Sequence, residues 1–272
     1  MCQAYSCLIT KSKKVYWKAG VDSHSDIHAL FKKKDKELND DKLPPENTFA
    51  RVEITPDDGN YLNIDPDHKW TLRVDEEVKP KWWSKSYEKP CYEAFELWKN
   101  KVYGQIRLEE INNPIHPFKL TPPKKITQKH MKLLKEWASV WASVGASVGA
   151  SVGASVGASV RASVGASVGA SVWASVWASV GASVWASVGA SVWASVWAYI
   201  SYQFPKIKTW KYIDKRKAPF NKIKGNPFRS AIQLWRMGLI PSYDKYNKVW
   251  RLHGGPKGEI LFEIKKSKLE KL

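Results

Sequence analysis

From Trp137 to Phe204 the chain contains no proline, asparagine or aspartate, and its only charged residue is Arg161. Without these three turn formers, such a segment is poorly suited to the repeated reversals of a sheet. Cysteine is scarce too: there are three in 272 residues, and Cys2 and Cys7 lack the paired spacing of a structural zinc site. The amino terminus offers only a short apolar start before Lys11, Lys13 and Lys14, which is no signal peptide. Few cysteines and no signal point to a reducing, cytoplasmic location.

What fills the gap is a tract of sixteen four-residue units over 137–200. Fifteen read x-Ala-Ser-Val, and the last is Trp197-Ala198-Tyr199-Ile200. Position x is Trp seven times, Gly eight times and Arg once. Those three residues share codons of one form, so slippage of a short DNA repeat could produce the tract as a spacer of tolerated composition.

Two conformations compete. A period of four keeps Ala and Val on one face of a strand, whereas on a helix each unit overshoots a full turn by about 40°, so the valine row drifts around the axis. Ala and Ser are poor strand formers, and the flanks carry helical spacing: Met131, Leu134 and Trp137 on one side, Trp197, Ile200, Ser201 and Phe204 before Pro205 on the other. The tract is therefore expected to be a helix or a helical hairpin that breaks near Arg161. Gly145, Gly149, Gly153 and Gly157 form a small-residue series that would allow close helix packing, within the chain or by self-association.

Length admits a membrane hairpin as well. Residues 137–160 and 162–205 carry no charge, enough to cross about 30 Å of hydrocarbon. One serine per unit keeps the tract only mildly apolar, which argues against a span.

Charge divides the chain. Residues 1–120 hold 20 basic and 20 acidic residues, and residues 121–272 hold 24 and 6, so the whole net charge of +18 lies in the second part. Segment 206–229 is densest: Lys206, Lys208, Lys211, Lys215, Arg216, Lys217, Lys222, Lys224 and Arg229 stand against Asp214, interleaved with Trp210, Tyr212, Phe220 and Phe228. Lys124, Lys125, Lys129, Lys132 and Lys135 precede the tract, and a hairpin would bring the two clusters to one end. Cations that neutralise phosphates release counterions, and rings among lysines suit stacking on unpaired bases. The same pattern also describes a solvated basic surface over a small aromatic core.

Four segments follow from these shifts: an α+β domain over 1–120, a basic helical lead-in over 121–136, the repeat over 137–204 and a basic α+β unit over 205–272. In the first, Ala4–Ile9 and Val15–Trp17 suggest a hairpin, Asp22 or Ser23 a helix cap, Ala50–Ile54 and Trp70–Val74 strands, and Tyr87–Tyr103 a helix burying Cys91, Ala94, Phe95, Trp98 and Val102. His24 and His28 share a helix face without a third ligand, and Asp57–Asn60 and Asp65–Asp67 read as turns. No metal and no cofactor are expected. In the last segment, Phe228–Met237 reads as a helix ended by Gly238, followed by strands over Val249–Leu252 and Glu259–Ile264 and a frayed tail. The Gly254–Gly258 loop between those strands could cradle a phosphate or be a plain turn.

Cys2 could become an amino-terminal nucleophile if Met1 were removed. In Met1-Cys2 the chain resembles glutamine amidotransferases and the proteins that crosslink to abasic DNA, but Gln3 stands where those families usually place glycine. More broadly, Met1-Cys2-Gln3-Ala4-Tyr5-Ser6-Cys7, the Ser-Val tetrads and Trp250-Arg251-Leu252-His253 resemble uncharacterised bacterial, phage and metagenomic repeat proteins. That resemblance implies no activity. The expected function is non-enzymatic: nucleic acid or another polyanion engaged by the basic half, with the repeat as spacer or self-association element. A membrane-anchored protein and a Cys2-dependent enzyme are the alternatives.

Overall fold

The computed structural model describes residues 5–21, 23–38, 48–75, 79–144, 147–160 and 192–272. The class is α+β, as expected. Two compact units form: one holds the described residues up to Gln105 together with 157–160, the other 106–156 with 192–272.

In the first unit, β1 (Tyr5–Thr10), β2 (Val15–Tyr16), β3 (Phe49–Pro56) and β4 (Trp70–Val74) form an antiparallel sheet in the order β2-β1-β3-β4. Every residue of β1 is buried, because helices cover both of its faces. On one face Leu8 joins Ile27 of α1 (His24–Phe31), Leu38 and Phe49. On the other, Tyr5 meets the rings of Phe95 and Trp98 in α2 (Glu88–Tyr103) at 5.4 and 5.6 Å. The five residues expected on the inner face of α2 are all buried. Ser23 caps α1 by accepting the N–H of Asp26 at 3.3 Å, and Gly59 takes the left-handed conformation its turn requires (φ +72°).

The second unit begins with α3 (Leu108–Asn112) and α4 (Gln128–Val144). The buried face of α4 is His130, Leu133, Leu134, Trp137, Val140 and Val144. Met131 is only half-buried, one residue out of phase with the expectation, because the His130 ring turns inward to accept the Thr127 N–H at 3.0 Å. The repeat is helical wherever it is described: the end of α4, α5 (Ser147–Val160) and the start of α6 (192–202). The tract does not run as one straight helix: the axes of Gln128–Val144 and Ser147–Val156 differ by 84°. The expected break near Arg161 lies outside the described residues.

The expected loss of a valine stripe is also corrected. Val140 and Val144 are buried on α4, Val148, Val152 and Val156 on α5, and Val192 and Val196 on α6. Over two units the row drifts only about 80°, within the width of one apolar stripe. Two buried serines of the repeat are satisfied in different ways. Ser155 donates to the carbonyl one turn back, Ser151 O, at 2.7 Å, while Ser195 reaches across to the carbonyl of Pro241 at 3.3 Å.

The last, irregular unit of the tract is where it docks. Tyr199 stacks on Trp235 at 4.9 Å with the planes 9° apart, and its hydroxyl donates to Glu110 at 3.1 Å while accepting the Ile115 N–H at 2.8 Å. Trp235 belongs to α7 (Arg229–Arg236), which Gly238 ends at φ +73°. The chain then forms an antiparallel sheet of β5 (Ile240–Asp244), β6 (Val249–Gly254) and β7 (Glu259–Lys265). Strand β5 escaped the sequence reading because Pro241 interrupts it. At the sheet edge that proline is tolerated, its missing N–H facing away from β6. The supposedly frayed tail is α8 (Lys266–Lys271), fixed by Leu269, which is 1% exposed.

Of the four glycines, Gly149 alone has a close approach described. A Cβ there would lie 2.9 Å from the indole nitrogen of Trp197 and 3.3 Å from that of Trp193, whereas one on Gly153 would meet nothing within 4 Å. Gly153 is thus a correction, Gly157 lies in α5 without described surroundings, and Gly145 is outside the described residues. Gly153→Ala is expected to raise stability by about 0.5–1 kcal/mol through helix propensity. Gly149→Ala should forfeit that gain to the clash with Trp197. Urea midpoints at unchanged slope measure both; equal gains would contradict the packing.

Candidate nucleic-acid interface

Because α4 turns His130, Leu133, Leu134 and Trp137 inward, Lys132, Lys135, Glu136 and Ser139 are left on its outer side. The segment 218–229 passes along that side. Between them lies a groove of about 690 Å³ with Lys132, Lys135, Lys222 and Arg229 on its walls and Met131, Pro219 and Ile223 forming apolar patches. Glu136 also lines it, and the nearest Arg229 nitrogen is 3.9 Å from its carboxylate. Among the described residues, no carboxylate lies within ion-pair distance of Lys132, Lys135 or Lys222. Like charges gathered in a concavity focus a positive potential and attract anions.

Most of the other cations of 206–229 lie in segment 206–217. Lys206, Lys208, Lys211, Lys215 and Lys217 are exposed, as is Lys224 further on. Lys215 donates to the Lys208 carbonyl at 2.8 Å. Arg216 is committed to Asp214 through two bonds of 2.9 and 3.0 Å, which hold the carboxyl down to about 2. That arginine is already neutralised and contributes less to the field than its count suggests. The backbone of this segment is fixed at one point: the Lys211 N–H donates to Ser155 Oγ at 2.8 Å, and its carbonyl accepts from Ser151 Oγ. Two serines of the repeat thus hold the middle of the basic stretch against α5.

The expected interleaving of rings and lysines needs correction. Trp210 is 2% exposed, its ring 5.6 Å from that of Phe228, and Phe220 and Phe228 are buried too. They anchor the segment to the core. Tyr212, 70% exposed at a positive φ of 63°, is the one ring of the four presented to solvent.

Other candidates resolve differently. Cys2 lies outside the described residues; Cys7 and Cys91 are free and buried. His24 and His28 each bond a separate backbone carbonyl, of Val52 at 3.2 Å and of Leu38 at 2.8 Å, and no cluster suited to a metal occurs among the described residues. In the glycine loop the Glu259 carboxylate already accepts the Lys257 N–H at 3.3 Å and lies against Gly255, so an anion there would meet a carboxylate. No single helix among the described residues is long and apolar enough to cross a membrane. The bent pair Gln128–Val144 and Ser147–Val156 reaches that mark only jointly, and its valines are turned into the protein.

Set against protein-family models, curated proteins and solved structures, the chain matches none of them.

Beside the loop, His253 is buried with both nitrogens engaged. Its Nδ1–H donates to the Gly258 carbonyl at 3.0 Å, which leaves Nε2 to accept from the Ser242 hydroxyl at 2.7 Å. Burial lowers its pKa, partly opposed by the Gly258 bond and aided by Arg251. A ring held neutral contributes stability that is complete above its unfolded value of about 6.5 and is lost as pH falls through the lowered folded value. His24, His116 and His130 are shifted in the same direction, each chiefly by burial. His253→Gln is expected to flatten the fall in thermal midpoint between about pH 7 and 5; an unchanged slope would contradict this bonding.

Proposed function

We propose that the second unit is a non-enzymatic nucleic-acid-binding module that holds phosphates along the groove between α4 and the segment 218–229. The supporting observation is the convergence of Lys132, Lys135, Lys222 and Arg229, from two stretches of chain about ninety positions apart, on one concavity. The exposed lysines of 206–217 extend the same field. The described ends of the repeat act as the frame of this interface, burying valines and tethering Lys211. With Trp210, Phe220 and Phe228 in the core, affinity comes from the backbone charge of the ligand and not from those rings.

Affinity for labelled DNA and RNA, followed by fluorescence anisotropy, is expected to fall steeply between about 50 and 200 mM salt. The double variant Lys132→Gln, Lys222→Gln should weaken binding alike for all sequences and reduce the salt slope by about one for each phosphate no longer neutralised. Binding that ignored salt, or that survived this variant with its slope intact, would contradict the proposal.

A further inference from the structure

The groove continues beyond its four cations. Lys135 and Ser139 line both it and a smaller cavity of about 250 Å³ walled by Trp141, Tyr243 and Trp250, with Lys266 and Glu270 of α8 at its rim. Trp141 comes from α4, while Tyr243 and Trp250 are paired neighbours on β5 and β6. The Trp141 ring centre is 5.2 Å from that of Tyr243 and 5.7 Å from that of Trp250, to which it is perpendicular; Tyr243 and Trp250 are 4.9 Å apart.

The cavity falls below the roughly 300 Å³ at which sites for drug-sized ligands begin, so it suits one flat ring. Aromatic walls accept either a π-system or a cation. Lys135 at the mouth, with no carboxylate in ion-pair distance among the described residues, repels a cation and attracts a phosphate, while the charge of Lys266 is shared with Glu270. Glu270, 3.7 Å from Lys266, offers carboxylate oxygens to an amino or imino group. Trp141 Nε1 is a buried donor with no acceptor among the described residues, on a ring that lines the cavity.

We infer that this cavity receives one unpaired base of a single-stranded nucleic acid whose phosphates run along the Lys132, Lys135, Lys222 and Arg229 groove. The inference rests on the proposed function and adds the strand type to it. A base enclosed by these rings cannot remain paired, so the module selects single strands although its phosphate contacts do not. The aromatic contact is placed by the sheet and α4, not by the lysine-rich segment whose rings are buried.

The test compares three ligands on the full chain at low salt: an oligothymidylate, a strand of the same length whose residues lack bases, and a duplex. The oligothymidylate is expected to bind about tenfold or more tightly than either of the others, the range of one base stacked on aromatic rings. The preference should collapse in Trp141→Ala and largely persist in Trp141→Phe, with folding checked by circular dichroism. Should Trp141→Ala not fold, photocrosslinking of a 5-iodouracil strand to the wild-type chain replaces it, with adducts expected on Trp141, Tyr243 or Trp250. Equal affinity for the three ligands, or adducts confined to other residues, overturns the base cavity and leaves the phosphate groove standing. No binding of any ligand overturns the groove as well. Thymidine monophosphate binding as tightly as the oligonucleotide would make this a free-nucleotide site and overturn the strand assignment.

Discussion

A four-residue period on a helix of 3.6 residues per turn rotates each row of side chains by about 40° per unit, and the second unit is arranged around that mismatch. A long rod would carry valine around to solvent. Short pieces do not: two valines on α4, three on α5 and two on α6 remain buried. The other positions of the repeat then take on separate tasks. Ser155 bonds its own helix one turn back, Ser195 reaches a strand, and Ser151 and Ser155 hold the Lys211 peptide. Gly149 admits the indoles of Trp193 and Trp197 against the backbone of α5, so the two described ends of the tract pack together.

The basic surface depends on this frame. Segment 206–229 has little regular structure beyond the 3₁₀ turn Phe220–Lys222; its position is set by Trp210 and Phe228 in the core and by the serine tether at Lys211. Repulsion among its lysines opposes any fixed placement, and the buried rings offset that repulsion. On the opposite wall, α4 presents Lys132 and Lys135 because its inner face is fixed by His130, Leu134 and Trp137. The concavity is thus formed by two differently supported walls of the same sign of charge.

Much of this was legible in the sequence. The β1–β2 hairpin, the Ser23 cap, the inner face of α2 and the end of α7 at Gly238 follow from local pattern and turn chemistry, which tertiary packing did not override. Three things were not legible. Periodicity alone could not place the change of direction that rescues the valine row. Pro241 concealed β5, because a proline is acceptable in a strand only at an edge and edges are a property of the sheet. The burial of Trp210 and the grouping of Trp141, Tyr243 and Trp250 are long-range facts, invisible in the spacing of lysines and rings along the chain. That the two basic clusters would meet was expected of a hairpin; which of their lysines share a groove, Lys132 and Lys135 with Lys222 and Arg229, is set by the inner face of α4.

The central claim is that serines of the repeat hold the basic segment in place, and amide hydrogen exchange at Lys211 tests it most directly. Its N–H, bonded to Ser155 Oγ, should exchange slowly in an otherwise exposed lysine-rich stretch, and Ser155→Ala should remove that protection while the β6 amides keep theirs. Fast exchange at Lys211 in the unaltered chain would contradict the account.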